Sequence, residues 1–245
     1  MAIKPKDLLN NKKDLNKILD FDKISLNEVS MKDLTFNGDN YDEFISLNSF
    51  LYHVSSCQIS DAFNEVTHKS CVISRLKSVN NLKTWGRITT AKTDSNDWGT
   101  ITLAIDESEV NDVLFVETSD MDAAIWGELA SVCAKNSKVK ATVVYGCVRD
   151  LDALLTMDYP IFACDFRPNA GKALGLGEIN INLNIESISI SPGDFLFGDE
   201  TGVVIIPKQF FNEVMLQTLQ IKLKENLISE TLNSGKSLSQ IVNLK

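Results

Sequence analysis

The segment from Asp112 to Asp150 constrains the fold more than any other part of the chain. It contains two short apolar runs, Asp112–Glu117 (DVLFVE) and Ala141–Tyr145 (ATVVY), with the helix-like stretch WGELASVCAK between them. Two strand-like runs around a helix are typical of a β-α-β unit, whose strands are parallel. The sequence therefore predicts an α/β protein with parallel strands in its sheet.

The two predicted strands place reactive groups at one edge of that sheet. Parallel strands point their carboxyl ends the same way, so the turn at Gly127–Ala130 and the pair Arg149-Asp150 should open on the same edge, where open α/β sheets bind ligands. A guanidinium suits carboxylate or enolate oxygens, a carboxylate suits a hard cation, and the N–H groups of a helix start suit an anion. An Arg-Asp pair after a strand is also typical of a surface ion pair or a helix cap, and the pattern leaves both interpretations open.

Further elements follow from periodicity and turn signals. Helices are predicted at Lys6–Asp20, Tyr41–Val54, Ala123–Ala134, Leu151–Met157 and Lys208–Ser229, with Ser60-Asp61 and Ser237 as helix caps. Strands are predicted in Val72–Thr93 with a break at Trp85-Gly86, at Pro160–Phe166, at Ile181–Ile190, and as a hairpin within Phe195–Pro207. A loop is predicted at Asp97-Trp98-Gly99. The glycine-rich segment RPNAGKALGLGEIN is predicted to be a flexible loop near the mouth of the site, since its Gly-Leu-Gly lacks the Lys-Ser/Thr of a phosphate-binding loop. The apolar side of the Ala123–Ala134 helix, which includes Leu129, should pack on the sheet. Apolar positions on more than one side of the long C-terminal helix suggest contacts between subunits.

Composition excludes several classes of function. With 33 acidic and 24 basic residues, the net charge of −9 argues against a nucleic-acid partner, which needs clustered Lys and Arg. No apolar run approaches a membrane span and the N-terminus lacks the apolar core of a signal peptide, so we expect a cytoplasmic protein without a membrane partner. The five cysteines have no C-x-x-C spacing and only two histidines occur, which favours reduced thiols and argues against a histidine-rich metal site.

Three motifs carry a resemblance to a known family. The first is the glycine-acid-leucine turn at Glu128, followed after 20 residues by Arg149-Asp150 within YGCVRDLDAL. The second is the segment SSCQISDAFNE from Ser55, and the third is SPGDFLFGDETGVVIIP from Ser191. Together they resemble the class II 4-hydroxy-4-methyl-2-oxoglutarate aldolases and the RraA (regulator of ribonuclease activity A) proteins. The likeness covers the chain from about Ser55 onward, which predicts an N-terminal helical extension at residues 1–45 and an RraA-like domain at residues 46–245.

The resemblance implies a fold and an assembly. It implies a layered β/α domain of the swivelling type, with a mixed sheet and flanking helices. It also implies a homotrimer, or a hexamer made of two trimers, with sites between subunits.

The same resemblance implies roles for the site residues. Asp150 would hold a divalent metal ion, Mg²⁺ or Mn²⁺, partly through water, and Arg149 would lie against the keto or enolate oxygen of an oxo-acid substrate. The N–H groups of Gly127, Glu128, Leu129 and Ala130 would bind its carboxylate. Glu128 replaces the aspartate of some relatives and would orient either a metal-bound water molecule or the water molecule that passes the proton.

The implied reaction is carbon-carbon cleavage. The expected enzyme is a metal-dependent lyase that cleaves a 4-hydroxy-2-oxo acid of the 4-hydroxy-4-methyl-2-oxoglutarate type to pyruvate, and that decarboxylates oxaloacetate through the same pyruvate enolate. Two alternatives remain open: a non-catalytic regulator that binds a protein partner, and a family aldolase that acts on another oxo acid or a sugar.

Overall fold

The computed structural model describes residues 47–242 and residue 244 of the 245-residue chain. The helix predicted at Lys6–Asp20, the first part of the helix predicted at Tyr41–Val54, and the predicted domain boundary at residues 45 and 46 lie outside the described residues. Within the part that is described, no helix combines the length and the apolar content needed to cross a membrane.

Helices and strands alternate through most of the described chain. The helices are α1 (Leu47–His53), α2 (Ser56–Thr67), α3 (Gly99–Glu107), α4 (Glu128–Asn136), α5 (Leu151–Thr156), α6 (Phe211–Asn233) and α7 (Leu238–Ile241), with a 3₁₀ turn at Lys208–Phe210. The strands are β1 (Val72–Ile73), β2 (Lys77–Ser78), β3 (Thr84–Thr93), β4 (Val113–Thr118), β5 (Ala124–Trp126), β6 (Ala141–Val148), β7 (Ile161–Phe166), β8 (Glu178–Ile179), β9 (Leu183–Ile185), β10 (Ile188–Ile190), β11 (Phe195–Gly198) and β12 (Val203–Ile206).

The chain divides into two compact units. Of the described residues, the helical unit contains those before Ser70 and those from Asn212 onward, and the sheet unit comprises Ser70–Phe211. In the helical unit, α2 contacts α6 through polar side chains: Gln58 Nε2 donates to Glu225, and Gln217 Nε2 donates to Glu65. The predicted long C-terminal helix is therefore confirmed and has a partner helix within its own unit.

The start of α2 differs from the prediction. Ser55 is the N-cap, and its hydroxyl accepts from Gln58 N while the Gln58 side chain accepts from Ser55 N, which is a capping box. Ser60 and Asp61 lie inside the helix, so the predicted cap there was wrong. The cap predicted at Ser237 is confirmed, since its hydroxyl accepts from Gln240 N at the start of α7.

The sheet unit contains a mixed sheet whose centre is parallel. The strand order is β1-β12-β11-β3-β4-β6-β7-β2, with β5 paired to β6 and β8 paired to β3. Strands β3, β4, β6 and β7 are parallel neighbours, whereas β1, β2, β8, β11 and β12 pair antiparallel. The predicted β-α-β unit is thus confirmed as β4, α4 and β6, and the α/β class with a mixed sheet and flanking helices is confirmed with it.

Alternate residues of the central strands pack on opposite faces of the sheet. In β4, Leu114 and Val116 join the core under α3, α4 and α5, whereas Val113 and Phe115 join the core that the β9–β10 hairpin covers. All four side chains are fully buried. A strand buried on both faces must be apolar throughout, which explains the continuous run that first marked this segment.

Two strand predictions need correction. Residues 84–93 form one continuous strand through Trp85-Gly86. A Cβ at position 86 would lie 2.9 Å from the carbonyl oxygen of Asn111, so the backbone of another segment approaches closely here. The glycine therefore allows close packing and does not end the strand. The strand predicted at Ile181–Ile190 is a hairpin, whose turn residues Glu186 and Ser187 have positive φ angles of 48° and 71°.

The helix predicted at Ala123–Ala134 begins later than expected. Residues Ala124–Trp126 form β5, and α4 runs from Glu128 to Asn136. Leu129, expected to pack on the sheet, is 82% exposed, and the residues that α4 buries are Ser131 and Ala134. The late start places the first turn of α4 at the edge of the sheet instead of over its face.

Candidate functional site

The chain bends sharply where β6 ends. Arg149 N donates to the carbonyl oxygen of Trp126 at 2.9 Å, which ties the end of β6 to the end of β5. Asp150 follows with φ 56° and ψ 44°, in the left-handed region that few residues other than glycine adopt. Its carbonyl oxygen accepts from Ala153 N and Leu154 N, both at 3.0 Å, so the strained residue begins α5 directly.

The Asp150 carboxylate points away from the helix that its own backbone begins. It makes no side-chain cap on α5. Its Oδ2 accepts from the backbone N–H of Glu128 at 3.1 Å, and Arg149 Nε lies 3.4 Å from the same oxygen. The carboxylate thus joins two loops that are 22 residues apart in sequence. Asp150 therefore forms both the ion pair with Arg149 and a helix cap, the two roles that the sequence pattern had left open. The helix that it caps is α4 and not α5, which follows it in the chain.

Gly127 makes this contact possible. A Cβ at position 127 would lie 2.4 Å from Asp150 Oδ2 and 3.1 Å from Arg149 Cγ, which is too close for any other residue without displacement of the carboxylate. Gly127 precedes the first turn of α4, whose N–H groups have no acceptor within the helix. The N–H group of Glu128 is taken by Asp150, while those of Leu129 and Ala130 find no acceptor in the described part of the chain.

A buried network holds the Gly127 turn in place. Trp126 is 1% exposed, and its Nε1 donates to Ser131 Oγ at 2.7 Å. Ser131 Oγ donates in turn to the carbonyl oxygen of Gly127 at 2.9 Å. The sequence analysis did not identify Ser131, although a serine four residues after an N-cap glycine is a recognisable signal of such a bond back to the helix start.

A cavity of about 280 Å³ opens beside these groups. Gly127, Arg149 and Asp150 form its polar end, and Leu129 and Ala130 line it next to them. Five of the six sequence-predicted site residues therefore lie together on one cavity. Glu128 does not line it: its side chain is exposed, and its contribution in the structure is the backbone N–H that binds Asp150.

Asp97, which the sequence analysis placed in a loop without assigning it a role, directly precedes Trp98, a residue that lines the cavity. Its carboxylate is 2% exposed and accepts six hydrogen bonds of 2.8–3.1 Å, from N–H groups of Gly99, Leu174, Gly175 and Leu176 and from hydroxyls of Thr93 and Thr100. Burial would raise the pKa of Asp97, but these donors outweigh it and hold the pKa far below its usual value. The carboxylate stays ionised and joins the start of α3 to a distant loop.

That distant loop is the glycine-rich segment predicted to be flexible. Three of its N–H groups, at residues 174–176, bind Asp97, and a Cβ at Gly171 would lie 2.0 Å from the carbonyl oxygen of Asn96. The segment is therefore anchored along its length. It does lie at the cavity, as predicted, because Ala170 lines it beside Trp98. In the Gly-Leu-Gly turn, the N–H groups of Gly175 and Leu176 bind the carboxylate of Asp97. In a phosphate-binding loop, such N–H groups would bind a phosphate.

Asp150 is the only carboxylate among the described residues that line the cavity. Across the residues that the structure describes, no group of three or more His, Cys, Asp or Glu side chains is placed to hold a metal ion. None of the five cysteines, all of which lie within the described residues, forms a disulfide. A cation in this cavity would therefore take one protein carboxylate and complete its coordination shell with water and ligand oxygens, which is typical of Mg²⁺.

Comparison with known proteins identifies a family to which this chain is similar. The family model RraA-like, described as Aldolase/RraA, matches residues 56–205. An uncharacterized protein of Methanocaldococcus jannaschii is 38% identical over 163 residues, which are 66% of this chain and 78% of that protein. A protein of Halalkalibacterium halodurans named "Putative 4-hydroxy-4-methyl-2-oxoglutarate aldolase" is 32% identical over 61% of this chain and 71% of its own length. The crystal structure of an uncharacterized protein from Pseudomonas syringae pv. tomato is 25% identical, with a TM-score of 0.69 over 78% of this chain and 94% of that one.

Proposed function

The chain belongs to the RraA-like (Aldolase/RraA) family, and we propose that it is a divalent-metal-dependent lyase that cleaves a 4-hydroxy-2-oxo acid to pyruvate. One observation carries the proposal: Arg149, Asp150 and the free N–H groups of the first turn of α4 meet at one end of a single cavity. A guanidinium, a carboxylate and two N–H donors at one point suit an α-keto acid, whose carboxylate and keto oxygens are adjacent.

Each group has a distinct part in the proposed reaction. The N–H groups of Leu129 and Ala130 bind the substrate carboxylate at the positive end of the α4 dipole. Arg149 donates to the keto oxygen, and this bond strengthens as negative charge develops there on cleavage. The Arg149 side chain is held by its own neighbour, since Nε lies 3.4 Å from Asp150, so the guanidinium is oriented before substrate binds.

The residues present fit a divalent ion at Asp150, either Mg²⁺ or Mn²⁺. Its side chain is 35% exposed and lines the cavity, and its two described partners leave acceptor positions on the carboxylate unused. A bound ion would polarise the keto oxygen as a Lewis acid. Glu128, whose exposed side chain lies at the first residue of α4, is proposed to orient the water that passes the proton.

The same residues would support decarboxylation of oxaloacetate. Loss of CO₂ from a β-keto acid leaves the pyruvate enolate that aldol cleavage also leaves, and Arg149 would stabilise the charge on its oxygen in both cases. We therefore propose that the two activities occur together and depend on the same groups.

An assembly belongs to the proposal. Exposed apolar side chains stand on three helices of the sheet unit, at Leu103, Leu129, Val132 and Leu155. Large apolar side chains exposed on neighbouring helices are typical of an interface between subunits, and we propose a homotrimer or hexamer, to be measured by light scattering. A cytoplasmic location stays a prediction.

Pyruvate release tests the proposal. The wild type and Asp150→Ala are compared on oxaloacetate and on 4-hydroxy-4-methyl-2-oxoglutarate, with Mg²⁺ or with a chelator, after circular dichroism has confirmed that both are folded. Release that needs the metal and is lost in the variant supports the lyase. No release above the metal-only background from either substrate would overturn the proposal. That result would favour the alternative function, a non-catalytic regulator that binds a protein partner.

A further inference from the structure

A line of hydrogen bonds leads from the buried core to Asp150. Trp126 Nε1 donates to Ser131 Oγ at 2.7 Å, and Ser131 Oγ donates to the carbonyl oxygen of Gly127 at 2.9 Å. On the other side of that peptide unit, the N–H group of Glu128 donates to Asp150 Oδ2 at 3.1 Å. One peptide unit therefore connects the carboxylate at the cavity to a buried hydroxyl and a buried indole.

The direction of these bonds follows from the groups that form them. An indole nitrogen only donates, so the Ser131 oxygen must accept from Trp126, and its single proton remains for the carbonyl oxygen of Gly127. That carbonyl oxygen also accepts from Ser131 N at 3.1 Å, as the first bond of α4. Because a carbonyl oxygen has two lone pairs, both of its acceptor positions are used and its direction is fixed.

The peptide unit transmits this constraint to the site. Its atoms are coplanar, and in a trans peptide the carbonyl oxygen and the N–H group point in opposite directions. A donor that fixes the carbonyl of Gly127 therefore also fixes the N–H group of Glu128. The preceding carbonyl, that of Trp126, accepts from Arg149 N at 2.9 Å, so the backbone is held on both sides of Gly127.

The N–H group of Glu128 is the better placed of the two described partners of the Asp150 carboxylate. Arg149 Nε lies 3.4 Å from the carboxylate, beyond the usual limit of about 3.2 Å for a hydrogen bond, whereas Glu128 N lies 3.1 Å from it. The orientation of the carboxylate therefore depends mainly on the orientation of the Gly127–Glu128 peptide.

Neither helix formation nor packing requires a serine at position 131. Ser131 and Ala134 are the residues that α4 buries, and a second alanine at position 131 would favour the helix more and would need no partner. A buried hydroxyl is costly unless it is hydrogen-bonded. A role limited to satisfying Trp126 accounts for the first bond of Ser131 but not for the second, which ends on the peptide at the site.

We infer that Ser131 is a positioning residue for Asp150. The inference rests on the proposed function, in which Asp150 holds a divalent ion. Ser131 acts through the Gly127–Glu128 peptide: its hydroxyl holds the carbonyl, and the N–H group on the other side of the peptide holds the carboxylate at the cavity. Groups that orient the ligands of a metal ion typically contribute about 10–100-fold to the affinity for that ion.

The affinity for Mn²⁺, measured by isothermal titration calorimetry, tests the inference. Ser131→Ala should raise the Kd for Mn²⁺ by at least ~10-fold. Ser108→Ala is the matched control, because Ser108 Oγ also donates to a carbonyl oxygen four residues earlier, that of Ala104 at 2.7 Å, and Ser108 does not line the cavity. This control should keep the wild-type Kd. Equal Kd values in Ser131→Ala and the wild type would overturn the inference.

A second background separates positioning from stability. In the wild-type background, Ser131→Ala removes the acceptor of a buried indole N–H, so the urea midpoint of unfolding should fall. In the Trp126→Phe background no indole remains, so the same substitution should lower the midpoint much less. The rise in the Kd for Mn²⁺ should be of similar size in both backgrounds, because the carbonyl of Gly127 loses its donor in both. A rise that disappears in the Trp126→Phe background together with the loss of stability would leave Ser131 a structural role only, and would overturn the inference.

The protein without added metal provides a further measurement. The amide proton of Glu128, observed by ¹H–¹⁵N NMR, reports on its hydrogen bond to Asp150. Its resonance should move upfield in Ser131→Ala, as that bond lengthens, and should keep its wild-type position in Ser108→Ala. An unchanged Glu128 resonance in Ser131→Ala would contradict transmission through the peptide.

Asp150→Ala distinguishes failure of the inference from failure of the proposed function. If the wild type binds Mn²⁺, Asp150→Ala does not, and Ser131→Ala binds it as the wild type does, the positioning role alone is refuted. If the wild type does not bind Mn²⁺, or Asp150→Ala binds it equally well, the metal site of the proposed lyase is refuted and the inference with it.

Discussion

Asp97 and Asp150 occupy equivalent places in the fold and have opposite surroundings. Asp97 follows β3 and precedes α3, while Asp150 follows β6 and precedes α5. Asp97 is 2% exposed and accepts six hydrogen bonds, whereas the side chain of Asp150 is 35% exposed and meets one backbone N–H and one guanidinium. An aspartate after a strand thus has a structural role at position 97, whereas at position 150 its carboxylate remains available to a ligand.

The difference shows how the protein separates stability from function. A carboxylate whose acceptor positions are filled by the protein cannot take a ligand, but its bonds stabilise the fold. A carboxylate with unused positions beside a cavity contributes little to stability and can bind a cation or substrate. Mutation of each aspartate should therefore affect a different measurement.

Asp150→Ala should have the largest effect. Pyruvate release is expected to fall by about 10²–10³-fold, the cost of removing a key electrostatic group from an active site. The free energy of unfolding should change by less than ~1 kcal/mol, because the side chain is partly exposed. Activity is measured by coupled pyruvate assay and stability by urea denaturation.

The matched control for that variant is Asp165→Ala. Asp165 lies one residue before the end of the neighbouring strand β7 and pairs with Arg167 at 2.7 Å, so it is also an exposed aspartate beside an arginine. Both activity and stability should stay near wild type. A large loss of activity in both variants would mean that the effect of Asp150 is not specific to the cavity.

Asp97→Ala should show the reverse pattern. Removal of the buried carboxylate leaves the part-buried N–H groups of residues 174–176 without their acceptor, at ~1–3 kcal/mol for each unsatisfied buried group. We expect the free energy of unfolding to fall by about 3 kcal/mol, measured in urea. Asp106→Ala, at an exposed aspartate of α3, should cost less than ~0.5 kcal/mol. Equal stability of the two variants would contradict the structural role of Asp97.

Gly127→Ala should alter the site through Asp150 with little effect on the fold. The new Cβ would displace the Asp150 carboxylate, so we expect about a tenfold loss of pyruvate release, since small misplacements at a reacting centre are costly. Gly193→Ala is the control: nothing lies within 4 Å of its added Cβ, but its φ of 87° is unfavourable for alanine. That variant should lose ~1 kcal/mol of stability and keep its activity. Full activity in Gly127→Ala would show that the carboxylate does not need its present position.

The pH dependence of stability provides the smallest expected effect. The folded state holds the pKa of Asp97 below its unfolded value, so it binds fewer protons and gains stability that is complete above pH ~4 and is lost as the pH falls further. Between pH 7 and pH 3, the wild type should lose ~1 kcal/mol more than Asp97→Asn, measured by urea unfolding at both pH values. Parallel losses in the two proteins would mean that other carboxylates account for the acid sensitivity.

The sequence predicted those parts of the site whose geometry follows from the local sequence pattern. The apolar run of β4 and the positions of Gly127, Arg149 and Asp150 after their strands were enough to predict one shared edge, because parallel strands fix the direction of their ends. The role of Asp97 was not readable in this way. Three of its donors come from residues 174–176, more than 70 positions later, and the only local signal was Asp97 itself just before a helix start with Thr100 following.

Glycines gave the least reliable local signal. Gly86 was interpreted as a strand break and the 171–177 segment as flexible, yet both are places where another backbone approaches within the radius of a methyl group. The start of α4 was predicted too early for a related reason, since Ala124–Trp126 has a helix-compatible composition and becomes a strand only through pairing with β6.

By itself, the sequence determined the α/β class, the order of β4, α4 and β6, and the residues that meet at the polar end of the cavity. These follow from periodicity and from chain direction, which are local properties. Only the tertiary structure decided that the carboxylate of Asp97 has all its hydrogen-bond partners within the protein while that of Asp150 remains available. It also decided that most of the cavity wall is apolar. Those properties depend on partners that the fold brings from distant positions, so no segment of the sequence contains them alone.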